Sequence, residues 1–446
     1  MSTVNRRSFM NLTAGGLAAA AVAGCTPGGG ANPTSPGTAG GSSPASSPAT
    51  QGGGSAALKV GWYGGAPVHE AMDSALKAFT SANPGITTTG TGVAFGDYWD
   101  KLATETAGGS GPDVFRMSMT YFVEYASRGA LDDLTSASVI DTATLDADVK
   151  ASGMVDGKLM GIGQSSIAPA LFSSSAMLDK VGATVPVEWT WDEFSAWAKD
   201  YSAEAGAGMY GSSDMAGNFQ MFDVFAREHV GNQFNDDGTL RLDAAVVEAW
   251  FALWDDLRLA KAAPPQDVTS AAGTFETNPM TTGTAALTSG WIQQMTFFQP
   301  LIKDSVVAAS PLPQKTKGDF SGMFVKALDF WCVSAQSKHK EEAAKLVNHL
   351  INDPTATEPI GLLLGVPPTV GAREQLAGAA PAVQAAVKYV ETYAPKAGKA
   401  PGPWPRGYGE VMSAFQRAAE SVGFATAKPG DAATTFIDEA KSALGA

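Results

Sequence analysis

From residue 57 to residue 115 the sequence alternates strand and helix signals in the order βαβαβ. That order limits the fold more than any other feature of the chain. Ala57-Leu58-Lys59-Val60-Gly61-Trp62 has the alternation of a strand. Pro67 then opens a helix that places Met72, Leu76 and Phe79 on one face, and Asn83-Pro84-Gly85 breaks it. Residues 86–93 read as a second strand. A second helix runs from about residue 97 to residue 107 and stops at Gly108-Gly109. Pro112-Asp113-Val114-Phe115 is a short buried strand. Alternation of this kind implies a parallel sheet covered by helices.

Later segments carry their own punctuation. Thr190 and Glu193 form a capping box, so a helix begins at Trp191. Asn235-Asp236-Asp237-Gly238 is a turn, and residues 243–259 follow as a long helix. Ala285-Ala286-Leu287-Thr288 reads as a strand ending at Ser289-Gly290-Trp291. Residues 326–333 are a further strand, and residues 340–352 are a helix closed by Asp353-Pro354. Helical patterns dominate from there on, and no internal repeat occurs at solenoid periods.

The N-terminus carries an address. Arg6-Arg7-Ser8-Phe9-Met10 is a twin-arginine pattern ahead of a short, weakly apolar stretch, too short for a permanent membrane span. It points to export in a folded state, although the general secretion route also tolerates Arg-Arg. Val22-Ala23-Gly24-Cys25 resembles the bacterial lipobox, in which the cysteine thiol accepts a diacylglycerol. Residues 26–55 are almost wholly Gly, Pro, Ser, Thr and Ala. Such a segment cannot bury apolar area and reads as a tether. Residues 1–24 are therefore expected to be a signal peptide, and residues 25–56 the lipidated cysteine and its linker.

About 390 residues remain for the body, enough for two domains. The net charge of -14 repels phosphate backbones, which argues against nucleic acid as a partner. Only two cysteines are present. With Cys25 lipidated, Cys332 is left alone in the apolar run Phe330-Trp331-Cys332-Val333 and reads as a buried thiol. No G-x-S-x-G, H-E-x-x-H or Walker loop occurs, and the four histidines have no ligand spacing. No cofactor, metal site or catalytic residue is expected.

Tryptophan is the informative residue. Trp62 ends the first strand ahead of Gly64-Gly65, Trp291 ends a later strand, and Trp404 sits between Pro403 and Pro405. Carboxyl ends of strands are where open α/β sheets bind ligands. A flat ring placed there stacks on the apolar face of a sugar while nearby polar groups take its hydroxyls. Asp113 and Arg406 are the polar candidates, with helix capping and surface ion pairing as their other readings.

The chain resembles the sugar-binding lipoproteins of ABC importers, extracellular solute-binding proteins similar to the maltose-binding type. The likeness is carried by the opening strand with Trp62, by Pro112-Asp113-Val114-Phe115 followed by Gly129-Ala130-Leu131-Asp132-Asp133-Leu134, and by Asp156-Gly157-Lys158-Leu159-Met160-Gly161-Ile162. Trp189-Thr190-Trp191-Asp192-Glu193-Phe194, residues 283–291 and Leu364-Gly365-Val366-Pro367-Pro368 complete it. The resemblance implies an α/β fold of the type II periplasmic-binding-protein class, a two-lobed clamshell with a mostly parallel sheet in each lobe and crossing hinge strands. It places lobe 1 in residues 57–164 and 316–355, and lobe 2 in residues 165–315 and 356–446. It gives Trp291 the position of a stacking aromatic. It also implies a monomer, lipid-anchored on the extracytoplasmic face of the membrane, that hands a carbohydrate to an ABC permease and its ATPase. The chain departs from the family at Met160, Gly163 and Leu171-Phe172-Ser173, where an aromatic, a Pro-ended stretch and Tyr-Asn are usual. The alternatives are another polar solute such as a polyamine, a cell-wall glycan hydrolase with paired carboxylates, and a ligand sensor feeding a surface kinase. Cys25→Ser is expected to release the protein to the medium or leave it unprocessed, read by cell fractionation and immunoblot; a variant that stays processed and membrane-bound contradicts the lipobox reading.

Overall fold

A computed structural model describes residues 55–445. The twin-arginine segment, Cys25 and all but the end of the tether lie outside the described residues. The first alternating run becomes strand β1 (Ala56–Tyr63), which pairs in parallel with β2 (Ile86–Val93) and β3 (Val114–Ser118). Helices Ala66–Ala82 and Phe95–Ala107 make the crossovers. Pro67 lies in the first turn, where a missing N–H costs nothing, and Met72, Leu76 and Phe79 are all buried.

The chain then makes a hairpin, β4 (Met154–Val155) with β5 (Lys158–Leu159). Asp156 and Gly157 turn it with φ of 50° and 75°, the left-handed pair that a two-residue hairpin loop requires. β6 (Ile162–Gly163) ends the first passage through lobe 1. Lobe 2 contains β7 (Pro169–Ser174), β8 (Tyr210–Ser212), β9 (Ala285–Trp291) and β10 (Val307–Ser310), and β11 (Asp329–Val333) returns to lobe 1. The sheet orders are β2-β1-β3-β11-β6 and β10-β7-β9-β8.

Both sheets are mixed, and the second is mostly antiparallel, which corrects the expectation of a mostly parallel sheet in each lobe. Only β8 and β9 pair in parallel there; β7 runs against β9 and β10. The cause is the crossing. Strands that enter a sheet from the other lobe, as β7 and β11 do, arrive from the hinge side and oppose the strands laid down by local crossovers. The expected boundary at residue 355 also moves. Helix Pro354–Ile360 packs on helices Ala66–Ala82 and Lys340–Asn352, so lobe 1 continues past it, and helix Pro381–Tyr393 is the first to pack on β10.

Each lobe has an aromatic core. In lobe 1, Phe122 and Phe330 stack at 4.2 Å. In lobe 2, Trp189, Trp250, Trp254, Phe194 and Phe222 are all below 2 % exposure. Burying a side chain of this kind contributes roughly 1.5–3 kcal/mol. Cys332 is fully buried, and burial pushes its thiol well above the ordinary range. The Thr190–Glu193 capping box is present, with helix Trp191–Ala205 starting directly after it. Among the described residues no helix is long and apolar enough to cross a membrane.

The carboxyl ends of β1 and β3 are sealed by charge. Arg116 on β3 donates to the Tyr63 carbonyl at 2.8 Å and to Asp329 on β11 at 2.9 Å, with its guanidinium 4.0 Å from the Tyr63 ring centroid. The Tyr63 hydroxyl donates to the same carboxylate. Burial raises the Tyr63 phenol far above its usual range, so it stays a donor. Removing one partner of a buried pair strands the other charge at a cost of about 3–5 kcal/mol. Arg116→Met is expected to lose that much in urea denaturation; a loss below about 1 kcal/mol would show that solvent already supports Asp329.

Candidate functional site

Two cavities open between the lobes. The first, of about 370 Å³, has Val123 and the β4–β5 hairpin (Met154, Val155, Asp156) as its lobe 1 wall. Its lobe 2 wall is Asp223 with residues 232–238 and 401–406. The second, of about 910 Å³, lies between Thr120, Tyr121 and Glu124 of lobe 1 and the start of helix Tyr408–Gly423. Arg406 belongs to both walls.

The segment carrying Trp404 is held by chain stiffness. Pro401, Pro403 and Pro405 fix φ at alternate positions. Gly407 then turns with φ of 87°, and a Cβ there would sit 2.4 Å from the Ala443 carbonyl oxygen, so only glycine fits. Trp404 stacks on Tyr408 with ring centroids 4.0 Å apart and planes 7° from parallel.

Lys326, on the crossing segment before β11, is completely buried beside this ring. Its ammonium donates to the carbonyls of Pro401 and Gly402 at 3.3 and 3.2 Å and lies 5.2 Å from the Trp404 centroid. Across from it, Asp223 projects from helix Phe219–Val230 with 6 % exposure. Its Oδ1 is buried and accepts no hydrogen bond from any described residue. Burial pushes the Asp223 carboxyl up to about 6, against the pull of Arg227 and Lys326, and pushes Lys326 down to about 7. The first cavity thus offers an unsatisfied carboxylate with a cation near it; Trp404, 7 % exposed between Tyr408 and Lys326, contributes apolar wall rather than an open face. Among the described residues no group of three His, Cys, Asp or Glu is placed to hold a metal.

The residues singled out in the sequence separate. Trp404 and Arg406 meet in the first cavity; Arg406 is exposed and forms no ion pair with a described residue. Trp291 is 9 % exposed at the end of β9, lies outside both cavity walls and packs edge-on against Phe324 at 6.2 Å. Phe324 in turn carries Arg227 at 5.4 Å, so Trp291 touches the cleft region only through intermediaries. Trp62 is a correction. It is 1 % exposed, its Nε1–H donates to His69 at 3.0 Å, and its ring fills the space over Gly90, which leaves no face for a ligand. Asp113 is another. It precedes β3, at the amino end of the parallel strands and away from the ligand end. Its carboxylate accepts from the Lys59 amide at 2.8 Å and the Ser337 hydroxyl at 2.6 Å, clasping β1 to the segment after β11. Of the departures from the family pattern, Met160 and Phe172 are both core residues.

The bacterial extracellular solute-binding protein family model matches residues 74–392. The chain belongs to that family. Solved structures agree in fold. An extracellular solute-binding protein of family 1 from Alicyclobacillus acidocaldarius is 27% identical, with a TM-score of 0.73 over 88% of this chain and 99% of that one. A periplasmic oligogalacturonide-binding protein from Yersinia enterocolitica, solved with saturated digalacturonic acid, is 21% identical with a TM-score of 0.76 (87% and 99% covered). An ABC substrate-binding protein from Listeria monocytogenes, in complex with cycloalternan, is 22% identical with a TM-score of 0.72 (87% and 99% covered). In this solute-binding protein, Asp223 and Lys326 were missed at the sequence level, yet each is a lone charge in an apolar run: Met221-Phe222-Asp223-Val224-Phe225 and Phe324-Val325-Lys326-Ala327-Leu328.

Asp223 gives a pH signature. Its carboxyl titrates higher folded than unfolded, so the stability it allows is full below about pH 4 and is lost as pH rises through about 6. Asp223→Asn removes that loss. The variant's stability relative to wild type, from urea titrations, is expected to climb between pH 4 and 6 and level off above. A difference that does not change with pH would mean that the carboxyl keeps its ordinary value.

Proposed function

We infer that this protein is a lipid-anchored, non-enzymatic, extracytoplasmic receptor that captures a carbohydrate between its lobes and hands it to an ABC permease and its ATPase. The observation that carries this is Asp223. A buried carboxylate with an unused oxygen is costly to a fold, and a hydroxyl of a bound solute supplies the missing donor. Trp404 lines the same cavity as apolar wall, and a polar group set in an apolar wall suits a sugar. Proteins of the same fold that were solved with saturated digalacturonic acid and with cycloalternan support the same class. Trp404, Asp223 and Arg406 are the proposed contacts, with Trp291 bracing the cleft through Phe324. Anchoring through Cys25 rests on the lipobox and tether alone.

A second reading has its own observation. Asp156, Asp223, Asp236 and Asp237 all line the first cavity, and several carboxylates around a cleft suit a polyamine. Two of them are already engaged or opposed. Asp237 accepts from the Thr239 amide and hydroxyl, and Lys326 lies near Asp223. A thermal-shift screen of the purified body against sugars and polyamines separates the two, because a ligand that binds only the native state raises its melting temperature. For the sugar identified, calorimetry on Asp223→Asn is expected to show affinity lower by roughly 10- to 150-fold, the worth of a hydrogen bond to a charged group. The melting temperature should not fall. Unchanged affinity, or melting-point shifts with spermidine and with no sugar, overturns the assignment.

A further inference from the structure

We propose that the cleft pivots at two peptide links, Ser166–Ile167 and Lys326–Ala327, and that Asp146 is the positioning residue that fixes the lobe 1 side of this pivot. The inference rests on capture of a solute between the lobes, whatever the solute is.

Helix Ala147–Ser152 of lobe 1 begins at Asp146, an N-cap residue whose side chain makes no capping bond. An aspartate in that place ordinarily accepts from the first turn of its own helix. This one is used elsewhere. Its Oδ2 accepts from the Ser166 hydroxyl at 2.7 Å, and its two oxygens take the Arg373 guanidinium as a fork at 2.9 and 3.1 Å. Arg373 also donates to the Pro367 carbonyl at 3.0 Å, and the Ser166 amide donates to the Val366 carbonyl. One carboxylate therefore holds the first crossing segment together with the run 364–368 beside it. The far end of the same helix holds the second crossing segment: the Ala327 amide donates to the Ser152 hydroxyl at 3.3 Å. Between these ends, a Cβ on Gly163 would lie 2.6 Å from the Val149 side chain, so β6 rests directly on the helix.

One residue further on, the partners change. Ile167 and Lys326 bond to each other through both amides, at 2.9 and 3.0 Å. The Lys326 ammonium is held in turn by the Pro401 and Gly402 carbonyls of lobe 2. Ser166 and Ala327 thus turn with lobe 1, and Ile167 and Lys326 turn with lobe 2. Domain closure commonly concentrates its rotation in a few such residues at element ends. The helix then leads through Gly153 into the β4–β5 hairpin, the lobe 1 wall of the first cavity, and the Met160 amide returns to the Gly153 carbonyl at 2.9 Å. The element that holds the pivot therefore also carries that wall.

The test uses the ligand-free Cys25→Ser chain carrying spin labels through Lys77→Cys and Glu204→Cys, one exposed position in each lobe; Cys332 is buried and takes no label. Asp146→Asn is expected to broaden the distribution of distances between the labels. Ser166→Ala, which removes only the hydroxyl, should broaden it less. Amide exchange at residues 164–168 and 325–328 of Asp146→Asn should quicken about tenfold or more, the worth of a hydrogen bond to a charged group. Leu76→Ala, a core loss elsewhere in lobe 1, should lower the melting temperature and leave the distances as they are. Unchanged distances in Asp146→Asn overturn the pivot, as do unchanged distances in Ser166→Ala where Asp146→Asn does not fold. Equal broadening by Leu76→Ala overturns it as well, since loss of stability alone would then explain the effect. No ligand enters the experiment, so its outcome is independent of the carbohydrate reading.

Discussion

A chain that passes from one lobe to the other must satisfy its backbone hydrogen bonds where neither sheet reaches, and the crossing segments do this on one another. The Ser166 amide donates to the Val366 carbonyl at 2.7 Å. Ile167 and Lys326 exchange bonds at 2.9 and 3.0 Å. Gly365 makes the approach possible, because a Cβ there would sit 2.6 Å from Ser165. These few bonds carry the connection between two separately packed cores, and everything in the cleft is positioned relative to them. Lys326 belongs to this set through its backbone and to the cleft through its side chain.

That double membership explains the electrostatics. Burying an ammonium without a carboxylate in contact is expensive, and the protein offsets it with two carbonyls from a proline-stiffened loop, the Trp404 face and a more distant Asp223. The arrangement orders the loop, since Pro401 and Gly402 must keep their carbonyls on the ammonium. It also leaves Asp223 short of a donor. The Lys326 ammonium is satisfied by the Pro401 and Gly402 carbonyls, while the Asp223 Oδ1 that faces the cavity is not. Strain left at a binding site in this manner is characteristic of sites built to receive a group from outside.

Much of lobe 1 could be read from the sequence because its signals are local. The βαβαβ alternation, Pro67 and Gly108 each act within a few residues, and so does the Thr190–Glu193 cap of lobe 2. The antiparallel pairing of β7 with β9 was not readable, since it depends on which side the chain enters from after crossing. Site prediction divides along the same line. That Trp404 lies outside regular structure, in the wall of the first cavity, was legible because two flanking prolines exclude it from any regular element. Trp62 was misleading for a local reason: it ends a strand, but helix Ala66–Ala82 folds back and brings His69 onto its indole. Asp113 shows the limit of type-based reasoning. Its carboxylate is fully used, by an amide 54 positions before it and a hydroxyl 224 positions after it.

The strand order β2-β1-β3-β11-β6 has a consequence for the birth of the protein. β11 lies between β3 and β6, so the sheet of lobe 1 lacks an inner member until residue 333 has been made. Until then β3 presents an open edge and Arg116 has no carboxylate to meet. Lobe 2 can close its own sheet once Ser310 is available, although it begins a hundred residues later in the chain. The sheet begun first is therefore the sheet completed last, although the helices that cover lobe 2, Pro381–Tyr393, Tyr408–Gly423 and Pro429–Ala443, are made later still. Between the synthesis of Ser310 and of Val333 the strands of the second sheet are all present while β3 lacks its neighbour, and in that interval β3 is the edge open to wrong pairing.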